Sequence, residues 1–145
     1  MKHFQAGDYL HSVPIIVSEQ SIIEFAQEYD PQAFHLNAID AARTMFKGLI
    51  ASGWHTSAVS MRLFVDTMNM PGGIIGLGVD ELRFPTPVRP GDELRLGINI
   101  VEARRSKSRA GASIIRVRNV TTNQRGEVVQ SLYASAMLPG KEASE

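Results

Sequence analysis

The segment from Ser52 to Met68 constrains this chain more than any other. Its helical pattern places Trp54, Ala58, Val59, Met61, Leu63, Phe64, Val65 and Met68 around most of a helix, with only Arg62 and Asp66 charged. A helix that is apolar nearly all round is a buried helix, so the rest of the chain must wrap it. The sequence C-terminal to it is suited to that task. After the loop Pro71-Gly72-Gly73 the signals are those of strands only, at about Ile75–Phe84, Glu93–Arg104, Ala112–Val120 and Glu127–Leu138. Turn-rich separators lie at Pro85–Asp92, Arg104–Gly111 and Thr121–Gly126.

The N-terminal part adds a strand and two short helices. Gly7 to Val17 is extended in character, with Pro14 confining it to an edge or interrupted strand. Ser18 caps a helix carrying Ile22, Ile23, Phe25 and Ala26, which Pro31 ends. Asn37 caps a second, through Ala41, Ala42 and Met45. One buried helix, four long strands in meander order and an N-terminal strand predict an α+β architecture, a curled antiparallel sheet around a long central helix. Such a sheet leaves an edge strand open to pair with a second copy, predicting a homodimer.

Composition narrows the function classes. With 145 residues the chain reads as one domain, 1–145, with a polar, disordered tail at 140–145. Lys plus Arg and Asp plus Glu both number 15, so no net field draws it to nucleic acid or to an anionic membrane. No apolar run approaches the roughly 18 residues of a membrane span, and the start has no signal-like run, so a cytoplasmic protein is expected. The absence of cysteine excludes a disulfide framework, a thiolate nucleophile and a Cys-based zinc site. Four scattered histidines do not suggest a metal centre either.

Chemistry concentrates between Asp30 and Gly53. Asp30 and His35 would lie about 140° apart on a helix, but Pro31 forces an extended or turn geometry in which both can converge on one water. Partial burial is expected to raise the carboxyl pKa and lower that of the imidazole, towards the range where general acid–base catalysis works best. The Gly53 N–H, opening the central helix, can approach an oxygen with no side chain in the way. Each residue has a plain structural alternative: a pre-proline turn for Asp30, a hydrogen-bonded core histidine for His35, close packing for Gly53. His55 reads as a polar-edge or dimer-contact residue, Trp54 and Phe34 as core or pocket wall, and His3 and His11 as surface. The basic run Arg104, Arg105, Lys107 and Arg109 reads as a solvated hairpin tip ahead of a site for phosphates.

The run Tyr29-Asp30-Pro31-Gln32-Ala33-Phe34-His35 resembles the Asp-x-Asn-Pro-(Leu/Ile/Val)-His motif of MaoC-like dehydratases and (R)-specific enoyl-CoA hydratases. Gly48-Leu49-Ile50-Ala51-Ser52-Gly53 is similar to their Gly-x-Ile-x-His-Gly segment. Val79 to Phe84 leading to Pro90-Gly91-Asp92 is similar to their strand and Pro-Gly-Asp turn. The resemblance runs from about Gly7 to Leu138 and implies a hot-dog fold. It also implies hydration of a trans-2-enoyl thioester, or the reverse dehydration, with Asp30 and His35 activating water and the Gly53 N–H as oxyanion donor. It implies no cofactor, coenzyme A entering only as part of an acyl-CoA or acyl-carrier substrate. Gln32, Ala33, Phe34 and Ser52 depart from the motif, which bears on the acyl group rather than on the reaction. A hot-dog thioesterase, whose central-helix carboxylate could only be Asp66, and a non-catalytic acyl-thioester-binding protein are the alternatives.

Overall fold

The computed structural model describes residues 3–140; of the tail expected at 140–145, residues 141–145 lie outside the described residues. In chain order the elements are β1 (Tyr9–His11), β2 (Ile15–Ile16), α1 (Glu19–Tyr29), α2 (Ala33–Leu36), α3 (Ala38–Ala41), α4 (Gly53–Met68), β3 (Ile75–Arg83), β4 (Glu93–Arg105), β5 (Ser113–Thr122) and β6 (Val128–Leu138). They form the expected hot-dog fold, an antiparallel sheet curled on α4.

The strand order is β1-β4-β5-β6-β3, with β2 also on β4. This corrects the meander expected for the four long strands. β4, β5 and β6 do follow one another through tight turns, but β3 pairs with β6 at the far edge, in the register Val79↔Ala134 and Asp80↔Tyr133. The reason lies in the connection from Pro85 to Asp92, whose prolines at 85, 87 and 90 do not make a tight hairpin. It crosses the start of α4 instead, where Val88 O accepts from Ala51 N at 2.8 Å. The turn closing it sets Gly91 at φ 86°. There the buried Asp92 accepts from Arg89 N and from the Gln124 side chain.

The inner face of the sheet follows strand alternation. Leu96, Ile98, Ile100, Ile115, Val117, Ala136 and Leu138 pack with Leu63, Phe64 and Met68 of α4. A second cluster joins Ile22 of α1 to Ala41, Leu49, Val88, Leu94 and Val129, and it holds the N-terminal helices over the start of α4. Both expected caps are present. Ser18 Oγ accepts from Ser21 N, and Asn37 Oδ1 accepts from Ile39 N and Asp40 N. The helix after Asn37 ends at Ala41, not near Met45, and gives way to turns with Lys47 at φ 60°. The N-terminal extended stretch is split at Ser12–Pro14, as Pro14 predicts.

The sheet covers α4 on one side only. Trp54, Met61 and Val65 are 64%, 57% and 47% exposed. Trp54 is therefore neither core nor pocket wall, contrary to expectation. On the edge strand β3, Leu77 and Val79 are also exposed.

Candidate active site

Asp30 closes α1. Its N–H bonds back to Ala26 O, and its backbone leaves the helical region at φ −152° and ψ 66°, as a residue before proline must. The chain does not stay extended to His35. It turns into the single-turn helix α2, which carries the imidazole back over the carboxylate, so that Asp30 Oδ2 and His35 Nε2 stand 3.3 Å apart. The structure thus brings the two residues together, by a non-helical step at Asp30–Gln32 and one helical turn, the turn rather than the extended form of the expected geometry.

His35 is 5% exposed. Its Nδ1 lies 2.7 Å from Ile50 O. A carbonyl oxygen only accepts, so Nδ1 carries the proton, and in the neutral ring Nε2 faces Asp30 with its lone pair. The 49–51 segment is itself fixed, since Ile50 N donates to Phe34 O at 3.0 Å. The ring is further held by Phe34, edge-on at 4.6 Å between centroids.

Asp30 departs from expectation in its ionisation. Its carboxyl is held below the ordinary carboxylate range, first by the Ser52 hydroxyl and then by the Gln32 amide and, when it is protonated, by the neighbouring imidazole, against the opposing effect of burial. Gln32 Nε2 lies 2.6 Å from Oδ1. Donors that bond the charged form favour it.

Ser52 is the residue that sequence reasoning missed. It is fully buried and caps α4: its Oγ accepts from Trp54 N at 3.3 Å, and its carbonyl accepts from His55 N and Thr56 N. It thereby couples the central helix to Asp30. Its signal is a serine directly before a helical apolar run.

Gly53 N–H, the first of α4, has no acceptor inside the helix, and Gly53 lines a cavity together with His35. That cavity measures about 260 Å³ and is walled by Phe34, Phe46, Thr56, Phe84 and Val129, among others. Phe34 is a pocket wall, as expected. His55 is not a polar-edge residue: it is 8% exposed and stacks on Phe25 of α1 at 4.9 Å, with Nδ1 lacking a partner among the described residues. Burial pushes its pKa down. His3 and His11 are exposed, as expected. Asp66 lies on the outer face of α4, paired with Arg62 at 2.8 Å.

Among the described residues, no group of three His, Cys, Asp or Glu side chains is arranged to hold a metal ion. Among those residues, too, no helix is long and apolar enough to cross a membrane.

The profile of the MaoC like domain matches residues 4–124 of the chain. The Bacillus subtilis (strain 168) protein YdeM is 31% identical over 126 residues, covering 86% of this chain and 88% of that protein. Among solved structures, a MaoC-like dehydratase from Rhodospirillum rubrum superposes with a TM-score of 0.88 at 42% identity, covering 96% of this chain and 95% of that one. The R-hydratase PhaJ1 from Pseudomonas aeruginosa superposes with a TM-score of 0.78 at 27% identity, covering 95% and 84%.

Proposed function

Because this chain belongs to the MaoC-like domain family, we propose that it is a hydro-lyase that adds water to a trans-2-enoyl thioester, or removes it from the 3-hydroxyacyl thioester. The observation that carries this reading is the Asp30–His35 pair, 3.3 Å apart, near the start of the central helix α4.

In the hydration direction one water sits over the pair, to one side of the line joining Oδ2 of Asp30 and Nε2 of His35, and gives a hydrogen to each. Nε2 takes a proton as the water oxygen bonds to C3 of the enoyl group. The C2–C3 π electrons move to the thioester oxygen, where the Gly53 N–H and the α4 dipole meet the developing charge. The imidazolium, held by the ionised Asp30 and by Ile50 O, returns its proton to C2. One O–H bond breaks, C3–O and C2–H bonds form, and no electrons are gained or lost. The step uses no cofactor; coenzyme A or an acyl carrier comes attached to the substrate.

The thioesterase alternative is less well supported. Asp66 points outward and is paired with Arg62, so the central helix presents no carboxylate to the pocket. We further propose that the protein works as a homodimer. At the free edge of β3 Leu77 and Val79 are exposed, and on the uncovered flank of α4 so are Trp54, Met61 and Val65; a second copy related by a two-fold axis would cover this apolar area.

The test is to incubate the protein with crotonyl-CoA and longer enoyl-CoA thioesters, following the conjugated absorbance and free thiol together. Loss of absorbance without thiol is expected. Thiol release would instead make the protein a thioesterase, and no change with any substrate would leave it a binding protein.

A further inference from the structure

A second cavity, of about 530 Å³, lies beyond the other end of α4. It falls within the range of about 300–1,000 Å³ usual for small-molecule pockets, and it shares no lining residue with the cavity beside His35. Met70, two residues past the end of the 16-residue helix, is one of its walls, so about 24 Å of helix separates it from Gly53. None of the residues proposed for the dimer surface lines it. Its floor is the main core: Ile115 and Leu138 are buried members of that cluster, and Phe4, Met70 and Ala103 pack against it.

The mouth is polar, and strand alternation decides which basic side chain belongs to it. Ala103 pairs with Ile115, and Arg105 with Ser113. Residues two apart on a strand share a face, so Arg105 and Ser113 stand on the core side of the sheet, opposite each other where β4 and β5 meet their turn. Arg104 belongs to the outer face, where it reaches Glu102 at 3.9 Å and the carbonyl oxygen of Arg105. Lys107 and Arg109 lie in the turn and line no part of the cavity. Among the described residues the Arg105 guanidinium and the Ser113 hydroxyl have no ion pair or hydrogen bond, and no carboxylate lines the cavity. The basic run is thus a solvated tip with one exception: Arg105 is exposed but sits at the rim of an apolar floor.

We propose that this cavity is a binding site for a free aliphatic monocarboxylate, with the carboxylate on Arg105 and Ser113 and the chain on Phe4, Met70, Ile115 and Leu138. A guanidinium presents parallel donors that match both oxygens of a carboxylate, and the Ser113 hydroxyl can donate to the same group. One fixed cation on the cavity side matches one negative charge, whereas the phosphates of a nucleotide would leave charge unmatched. His3, also in the lining, adds charge only when protonated. The site uses neither the Asp30–His35 pair nor the cavity beside it, so it stands independently of the hydro-lyase reading.

The test uses the full-length protein and two probes with the same chain, decanoate and 1-decanol, with binding measured by calorimetry. Wild type is expected to bind decanoate about 10–100-fold more tightly than decanol, the advantage of hydrogen bonds to a charged group. Arg105→Gln should lose that advantage and bind both probes alike, with its affinity for decanol unchanged. Arg105→Lys keeps the charge without the fork and should fall between. Thermal denaturation shows that each variant is folded, and Arg105→Gln should turn over crotonyl-CoA at whatever rate wild type shows. Equal affinity of wild type and Arg105→Gln for decanoate overturns the proposal, because the ligand then sits elsewhere. A wild type that binds decanol as tightly as decanoate, or binds neither, overturns it as well.

Discussion

His35 donates its Nδ1–H to the carbonyl oxygen of Ile50, 2.7 Å away, and this one bond decides which nitrogen of the ring can do chemistry. With that proton committed to the backbone, Nε2 is left to face Asp30 at 3.3 Å. The expected outcome is that the neutral form of the ring carries its proton on Nδ1, which long-range nitrogen–proton NMR correlations of the labelled protein distinguish directly. The opposite tautomer would remove Nε2 as a proton acceptor.

If the pair works as one unit on a single water, its members are not additive. Asp30→Asn and His35→Ala are each expected to lower kcat/KM by about 10²–10⁴-fold. The double variant should be little worse than the worse single one, as with residues that act together. Steady-state kinetics on whichever enoyl-CoA the wild type prefers checks this. Near-wild-type turnover in either folded single variant would remove that residue from the chemistry.

Ser52 acts on Asp30 from the first turn of α4, and its removal should be visible in pH profiles. The Ser52 hydroxyl is the main cause that holds the Asp30 carboxyl below its ordinary range. In Ser52→Ala that pKa rises, so the acid limb of kcat/KM moves to higher pH. The stability consequence has a definite sign. A carboxyl with a depressed folded-state pKa contributes stability that is present above the unfolded-state value and lost as pH falls through the folded one. The variant also loses a helix cap worth about 1 kcal/mol at any pH. The gap in Tm between wild type and variant should thus be widest near neutrality and shrink in strongly acidic buffer. A gap independent of pH would make Ser52 a cap and nothing more.

The parts of this molecule that are readable in its sequence are those set by local chemistry. The caps at Ser18 and Asn37, the helix after Ser52 and the four long strands follow from side-chain oxygens, apolar spacing and turn residues. The order of the strands does not follow from such signals. Whether β3 pairs with β4 or with β6 depends on the Pro85–Asp92 segment crossing α4, which is decided by packing at Val88 and Ala51. The site divides in the same way. Asp30 and His35 stand out because their residue types are chemical and their spacing resembles a known motif. Ile50 contributes only a carbonyl, which every residue has, so nothing in its identity marks it. Burial can be guessed from sequence and by itself predicts a raised Asp30 carboxyl pKa, while the opposing donors on Gln32 and Ser52 become apparent only in three dimensions.

The proposed dimer gives a separate prediction at the edge of the sheet. Leu77 and Val79 are 55% and 54% exposed on the edge strand β3. Wild type is expected to sediment as a dimer. A lysine at either position should shift it towards monomer, because charge on an edge strand blocks strand addition. Analytical ultracentrifugation over a range of protein concentrations reads this directly. A wild type that stays monomeric throughout would mean that this surface serves some other purpose.

Gly53 has two separate reasons to be glycine, and one pair of variants tells them apart. The first is catalytic: a thioester oxygen must reach its N–H, and a side chain would stand in the way. The second is packing: a Cβ would meet the Phe84 ring at 2.9 Å. Gly53→Ala keeps the N–H and the helix, and alanine is the better helix former, so any loss must come from the methyl group. If packing is the reason, the added methyl displaces the ring at a cost of about 1–3 kcal/mol, typical of overpacking. Removing the ring should then recover stability, so that Gly53→Ala/Phe84→Ala melts no lower than Phe84→Ala alone. If access to the N–H matters as well, the double variant regains stability but not turnover, and its kcat/KM stays well below that of Phe84→Ala. Measuring Tm and kcat/KM on the same four proteins separates the cases, since packing couples the two positions in stability whereas oxyanion access involves Gly53 alone. Full recovery of both quantities would leave Gly53 a packing residue and remove the reason for assigning it the oxyanion role.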